Sequence, residues 1–381
     1  MGLKFNIAST FLAIIAYFLF DVVRIIYRES LFKGYNQSEF DNCDRVKEIK
    51  GCADITVHGA SGFAFVGCPE DYYYYKNFIS FLYNPRDKIV LGKRSFIYAY
   101  DLKNKEAKKL QLKSFPENVD FFTHGSDVIT DPKDKNKIHF LTVNHREGGK
   151  DTVEHFVHKI GTDSITWIES FEDDKLKLVS NIAAVTPTSF YYTQDLSHVN
   201  GLMNYMESLG LIEGGKIMFK DEANNYSEIQ NGFKLTNGIA LSPNKKNLYL
   251  AESFRGKIHI FDRNPKTNKL SKKDSVVVNF SPIGLKSDPL TGQVYIAGIP
   301  IDLSIIDSWG SFGDYRSKLT KSIVAKLSNA TSSGDKYKVD TVIIDDGGNL
   351  SSTTSAASDG TTGSLLMTGI FNYKGLLNCR V

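Results

Sequence analysis

The chain has 381 residues, 46 Lys and Arg against 43 Asp and Glu, and a formal net charge of +3. That length can bury a substantial core in one large domain or two ordinary ones, and with the charges interspersed and no long basic block nothing predicts a nucleic-acid partner. An aromatic share of 12%, with 19 Tyr and 25 Phe, beside many Gly, Ser, Thr and Val residues, leans towards a β-rich fold.

The first element in chain order is apolar. "FNIASTFLAIIAYFLFDVV", Phe5 to Val23, carries a single acid, Asp21, and is close to the ~20 residues a helix needs to cross a bilayer. No small-x-small cleavage site follows, and the run passes straight into "DVVRIIYRES". The expectation is an uncleaved signal-anchor over 5–26, with a cleaved signal peptide as the alternative. Lys4 precedes the segment and Arg24, Arg28 and Lys33 follow it, so the flanking charges alone would keep the following chain in the cytosol. The rest of the chain points the other way. Its cysteines, Cys43, Cys52, Cys68 and Cys379, are even in number and form no metal-type C-x-x-C pair. N-x-S/T sequons at Asn36, Asn225, Asn279, Asn329 and Asn349 all lie beyond the anchor, although so Asn-rich a chain would acquire several by chance. The expected topology is a single-pass type II membrane protein of the endoplasmic reticulum and/or plasma membrane. It has a cytosolic tail over 1–4, a connector over 27–42, and a lumenal or extracellular body over 43–381.

No long linker divides that body; "NATSSGDK" and "GGNLSSTTSAASDGTTG" read as loops, rich in turn formers and poor in apolar residues. A pattern recurs instead. "ITDPKDKNKIHFLTVNH", "LSPNKKNLYLAES", "KSDPLTGQVYIAGI" and "ASDGTTGSLLMTGIF" each set a Pro, Asp or Gly turn before a short β-branched, aromatic or leucine strand, with "VTPTSFYYTQDL" and "GASGFAFVG" as weaker copies. The spacing suits one four-stranded propeller blade per unit, and about six units fit, so the predicted fold is an all-β six-bladed propeller. The main helical candidate is "SHVNGLMNYMESLGL", where Leu202, Met203, Met206 and Leu209 fall near helical spacing and would cover the propeller's mouth.

In a closed ring the first and last strands share a blade, so a Cys43–Cys379 bond would fasten the circle, contributing about 4 to 5 kcal/mol in the chain-entropy model. Cys52 and Cys68 are candidates for a second, local hairpin bond; the alternative is four buried thiols. "DYYYYKNF", with tyrosines from Tyr72 to Tyr75, reads either as an aromatic first-blade loop or as an exposed surface for a protein or the membrane interface. There is no G-x-S-x-G elbow, P-loop or zinc spacing. His259 in "KIHIF" reads as a strand residue, and "ESFEDDKLK" as a solvated turn.

"NCDRVKEIKGCADI", "FFTHGSDVIT", "FLTVNHREGGKDTVEHF", "LTNGIALSPNKKNLYLAESFRGKIHIF", "SDPLTGQVYIAG" and "IFNYKGLLNC" resemble, in order, successive blocks of the paraoxonase (arylesterase/lactonase) family, from about residue 40 onward. The resemblance implies a six-bladed propeller with two calcium ions in its central tunnel and a disulfide joining its ends. It also implies hydrolysis of lactones and aryl esters, in which a catalytic calcium polarises the carbonyl and a histidine pair, here His124 and His145, activates water. Carried over residue by residue, the calcium ligands are depleted. The family's first-blade Glu-Asp pair is Ala53-Asp54, its Asn-Asp pair is Ser180-Asn181, its Asn-Gly-Ile asparagine is Asn237, and its last Asp-Asn pair falls on Ile283-Gly284. A third tunnel histidine is Ile299. Calcium seeks six to eight oxygen ligands, so a catalytic calcium is not expected and the dyad reads as vestigial. One structural calcium could be kept by Asp54, Asn181 and a backbone carbonyl near Ser126. Together with the anchor, this resembles nematode paraoxonase-like proteins that assist folding, assembly or surface delivery of degenerin-type sodium channels. The competing expectation is a calcium-dependent lactonase or arylesterase.

Overall fold

The computed structural model describes residues 36–69, 94–146, 150–199, 201–300, 319–329 and 336–380. The expected tail and anchor and Tyr72 to Tyr75 lie outside them. Among the described residues no helix is long and apolar enough to cross a membrane.

Six sheets form a ring of blades. Blade 1 is β2 (Asp54–His58), β3 (Phe63–Pro69), β4 (Ser95–Asp101) and β5 (Glu106–Lys109). Blade 2 is β7 (Thr123–Thr130), β8 (Lys137–His145), β9 (Asp151–Lys159) and β10 (Ser164–Phe171), with β6 (Gln111–Lys113) added in parallel to β10. Blade 3 is β11 (Val179–Thr186), β12 (Ser189–Gln194), β13 (Gly215–Lys220) and β14 (Tyr226–Phe233). Blade 4 is β15 (Thr236–Leu241), β16 (Asn247–Glu252), β17 (Lys257–Arg263) and β18 (Leu270–Val277); blade 5 is β19 (Ser281–Ser287), β20 (Val294–Ile299), β21 (Ser322–Asn329) and β22 (Tyr337–Asp345). Blade 6 takes β23 (Thr353–Asp359), β24 (Ser364–Gly369) and β25 (Leu376–Arg380) from one end of the body and β1 (Cys43–Val46) from the other.

The turn residues that flagged these units do local work. Asp131 Oδ1 accepts from the amides of Lys133 and Asp134 at 2.7 and 2.9 Å, and Asp288 Oδ1 accepts from those of Leu290 and Thr291 at 2.9 and 2.7 Å. Both are side-chain turns that reverse the chain between the first two strands of a blade. Alternation then sends apolar side chains between blades. Phe65, Phe121, Phe140 and Phe156 are fully buried between blades 1 and 2, and Ile258, Ile260, Leu285 and Ile296 between blades 4 and 5. Each such side chain contributes about 1.5–3 kcal/mol by leaving water.

β1 pairs antiparallel with β25, with Cys43 opposite Cys379, and those cysteines are bonded. Cys52 and Cys68 form the second disulfide. Ser38 exchanges hydrogen bonds with the Ile344 backbone, its amide donating to the carbonyl at 2.8 Å and its hydroxyl accepting from the amide at 2.9 Å, so the end of the connector lies along blade 5. Among the sequons, Asn36, Asn225, Asn279 and Asn329 are exposed, while Asn349 is half-buried with Oδ1 facing the Arg45 guanidinium.

Two expectations are corrected. "GGNLSSTTSAASDGTTG" is not all loop: Thr353–Asp359 within it is β23, the innermost strand of blade 6. Its Ser, Thr and Ala composition reflects the crowding where six strands converge, not an absence of structure. The helix, α1 (Gly201–Ser208), forms as predicted but faces the other way. Asn204 and Glu207 are its buried residues, while Leu202, Met203 and Leu209 are exposed. The Glu207 carboxylate explains the inversion, accepting from the amides of Ser197 and His198 and from His198 Nδ1 at 2.8–3.1 Å, so it satisfies loop donors that an apolar face could not.

Burial holds three imidazoles below their ordinary pKa: His58, His155 and His158. An unfolded chain would protonate them first as pH falls, so their contribution is fully present above about 6.5 and is lost as pH drops from there towards the folded values. Asp127, whose pKa is raised by burial, opposes this as a single group. The expected result is a melting temperature that falls between pH 7 and pH 5, checked by thermal scans at constant ionic strength; a flat or rising profile would contradict the assignment.

Candidate functional site

The innermost strands β2, β7, β11, β15, β19 and β23 touch in succession around the axis. Close approach demands a missing side chain at some positions: a Cβ on Gly284 would stand 2.1 Å from the Thr354 carbonyl oxygen, and one on Gly125 would stand 2.4 Å from that of Ser180.

At one end of this tunnel the structure brings the predicted histidines together. Their ring centroids are 5.1 Å apart. His124 Nδ1 donates to the Ser180 carbonyl at 2.7 Å, and His145 Nδ1 donates to Asp151 Oδ1 at 2.6 Å. Asp151 is itself buried, with Oδ2 accepting from the Val179 amide at 2.7 Å. Each imidazole is thereby oriented through its Nδ1, which fixes the placement of the two rings side by side. Sequence reading missed Asp151, yet it stands opposite His145 in the β8–β9 ladder, so the hairpin register would have pointed to it.

Below the dyad the metal ligands are poor. Asn237 Oδ1 accepts from Ser180 Oγ at 2.8 Å, so the two neutral groups left from the catalytic set satisfy each other. Ala53, Ile283 and Gly284 bring no side-chain oxygen, and Ala53 contributes only its carbonyl, taken by Thr354 Oγ1 at 2.8 Å. These residues do not fit a catalytic calcium. Asn181 packs on Gly125 and turns Oδ1 to the amide of Ile182 at 2.8 Å.

The remaining predicted ligand, Asp54, has an unforeseen partner. Lys286 from β19 extends its ammonium into the tunnel and donates to Asp54 Oδ2 at 2.7 Å, to Thr56 Oγ1 at 3.0 Å and to the Ser126 carbonyl at 2.6 Å. Asp54 also accepts from the amides of Ile55 and Ser126 and from Ser355 Oγ. The carboxylate and the backbone carbonyl assigned to a structural calcium thus surround an ammonium nitrogen. Three oxygens at 2.6–3.0 Å surround a position that the ammonium already fills, too few for the six to eight that calcium takes, and the set so arranged does not fit that ion. Among the described residues no cluster of three or more His, Cys, Asp or Glu side chains could hold a metal.

Beyond this cluster lies a cavity of about 400 Å³, lined by the later residues of all six innermost strands. Asp127, Lys245 and Lys286 give it charged walls. Lys245 Nζ donates to the Val185 carbonyl at 2.6 Å, and burial lowers its pKa.

The model of the arylesterase family matches residues 88–380, which include all of blades 2 to 5, the outer strands of blade 1, three strands of blade 6 and the His124–His145 dyad. The chain belongs to the arylesterase family. It is 27% identical over 285 residues to mouse (Mus musculus) serum paraoxonase/arylesterase 1, an alignment covering 73% of this chain and 75% of the relative. It is 30% identical over 212 residues to dog (Canis lupus familiaris) serum paraoxonase/arylesterase 2, covering 54% of the chain and 57% of that relative. Among solved structures a luciferin-regenerating enzyme is similar, with a TM-score of 0.54 at 12% identity, covering 89% of this chain and 95% of that one. A gluconolactonase of Xanthomonas campestris has a TM-score of 0.51 at 11% identity, covering 89% of each chain. These likenesses place the arylesterase chain in the propeller fold and carry no more than that.

Proposed function

We propose that this arylesterase-family chain is a non-enzymatic, membrane-anchored protein that assists folding, assembly or surface delivery of a membrane client such as a degenerin-type sodium channel. The observation that supports the non-enzymatic part is the state of the catalytic ligand set, with Asn237 and Ser180 bonded to each other beside Ala53, Ile283 and Gly284. Stabilising the oxyanion that develops in ester hydrolysis is usually the largest single contribution to rate, and these groups offer no cation for it. The client assignment rests on the sequence resemblance and on the apolar segment over 5–26.

The oriented Asp151–His145–His124 series favours a second reading, a calcium-dependent lactonase or arylesterase. Assays of the full chain with lactones and phenyl esters, in calcium and in chelator, separate the two. The expected rate is that of a heat-denatured control in both buffers. Chelator-sensitive turnover at about 1 s⁻¹ or faster would establish the second reading instead. For the client, co-expression with a degenerin subunit is expected to raise its surface signal, and deletion of 5–26 to abolish the gain.

A further inference from the structure

We infer that the Lys286 ammonium is the permanent structural cation of this propeller, a charge supplied by the chain where the family's pattern would call for a structural calcium. The three acceptors it meets come from strands distant in sequence: Asp54 and Thr56 on β2, and Ser126 on β7, while Lys286 itself is on β19. Ser355 on β23 joins through Asp54 Oδ1 at 2.7 Å. One buried cluster therefore ties the innermost strands of blades 1, 2, 5 and 6.

The chemistry suits a primary ammonium. Three N–H donors meet three oxygens, one anionic and two neutral, so each proton has an acceptor and the buried charge has a counter-charge. The Asp127 carboxyl, half-buried on β7, lies near enough to feel the same positive charge. A divalent ion entering this site would have to displace a covalently attached cation, and it would gain only one carboxylate from the cluster. The ties across the tunnel accordingly hold without metal and cannot be stripped by a chelator. Position, not composition, sets this role: Lys286 is 7% exposed among lysines that otherwise mostly face solvent.

The test is thermal unfolding of the full chain in detergent, in millimolar calcium and in chelator. Wild-type curves are expected to superimpose. A wild-type melting temperature that falls in chelator and returns with calcium would overturn the inference. Lys286→Ala is expected to melt lower by on the order of 5–10 °C, and to be partly restored by methylammonium, which can occupy the vacated volume. A variant as stable as wild type, or one indifferent to both methylammonium and calcium, would also overturn it. If Lys286→Ala does not fold, the double variant Asp54→Asn/Lys286→Met decides. It removes both charges and should melt above Asp54→Asn alone, whereas a lower melting temperature sinks the idea. Hydrolysis assays do not enter, so failure here is distinguishable from failure of the proposed function.

Discussion

Asp54→Ala is expected to destabilise the propeller by about 3–5 kcal/mol, because it removes one partner of a buried ion pair and leaves the other charged and largely buried. The carboxylate is 2% exposed and accepts from the Ile55 and Ser126 amides, Ser126 Oγ, Ser355 Oγ and Lys286 Nζ. Its loss also takes the acceptor from the buried Ser126 amide and Ser355 hydroxyl. Chemical denaturation of the full chain measures this, with Asp340→Ala as the reference. Asp340 pairs with Lys338 on the outer strand β22, where both side chains are well exposed, and such pairs are worth within ~1 kcal/mol. If the two substitutions cost the same, the central cluster does not bind the blades together.

Replacing both Cys43 and Cys379 by serine is expected to cost about 2–5 kcal/mol. The bond spans 336 positions, so its removal frees nearly the whole body to explore open conformations in the unfolded state. In the folded state the β1–β25 backbone ladder, from Cys43↔Cys379 to Val46↔Leu376, and the contacts of β2 with β23, such as Ser355 Oγ to Asp54, would then hold the ring closed. Hydrogen exchange should localise the effect. Amides of β1 and β25 are expected to lose protection while those of β16 and β17 keep theirs, and uniform loss throughout would place the bond's contribution elsewhere.

How much of this could be read before the structure depended on distance along the chain. Blade number followed from local signals, because each Asp or Pro turn and the strand after it are neighbours: Asp288 reaches its amide partners two and three residues away. The Cys43–Cys379 pair followed from the logic of ring closure, and Cys52 and Cys68 were candidates because they lie only 16 positions apart. Lys286 was illegible for the opposite reason, since its partner Asp54 is 232 positions away and "GLKSDP" gives no sign of which side the lysine faces. The orientation of α1 was misjudged because its apolar residues were counted and the needs of the adjoining loop's amides were not; Glu207 answers those needs. β23 was overlooked because small polar residues signal loops at a surface but strands at a crowded axis. The dyad was found by family resemblance, and the carboxylate that orients it only by register.

Pairing β1 with β25 imposes an order on biosynthesis. The ribosome makes Cys43 and then 336 further positions before Cys379 exists, a delay of roughly 20–70 s at ~5–20 residues per second. Throughout that interval an early strand waits with its edge and its thiol unmatched, and the sixth sheet cannot be completed by anything synthesised sooner. Oxidation of this pair is therefore a late event that reports a finished circle, and any nascent chain cut short before Leu376 must leave the ribosome as an open, incomplete ring.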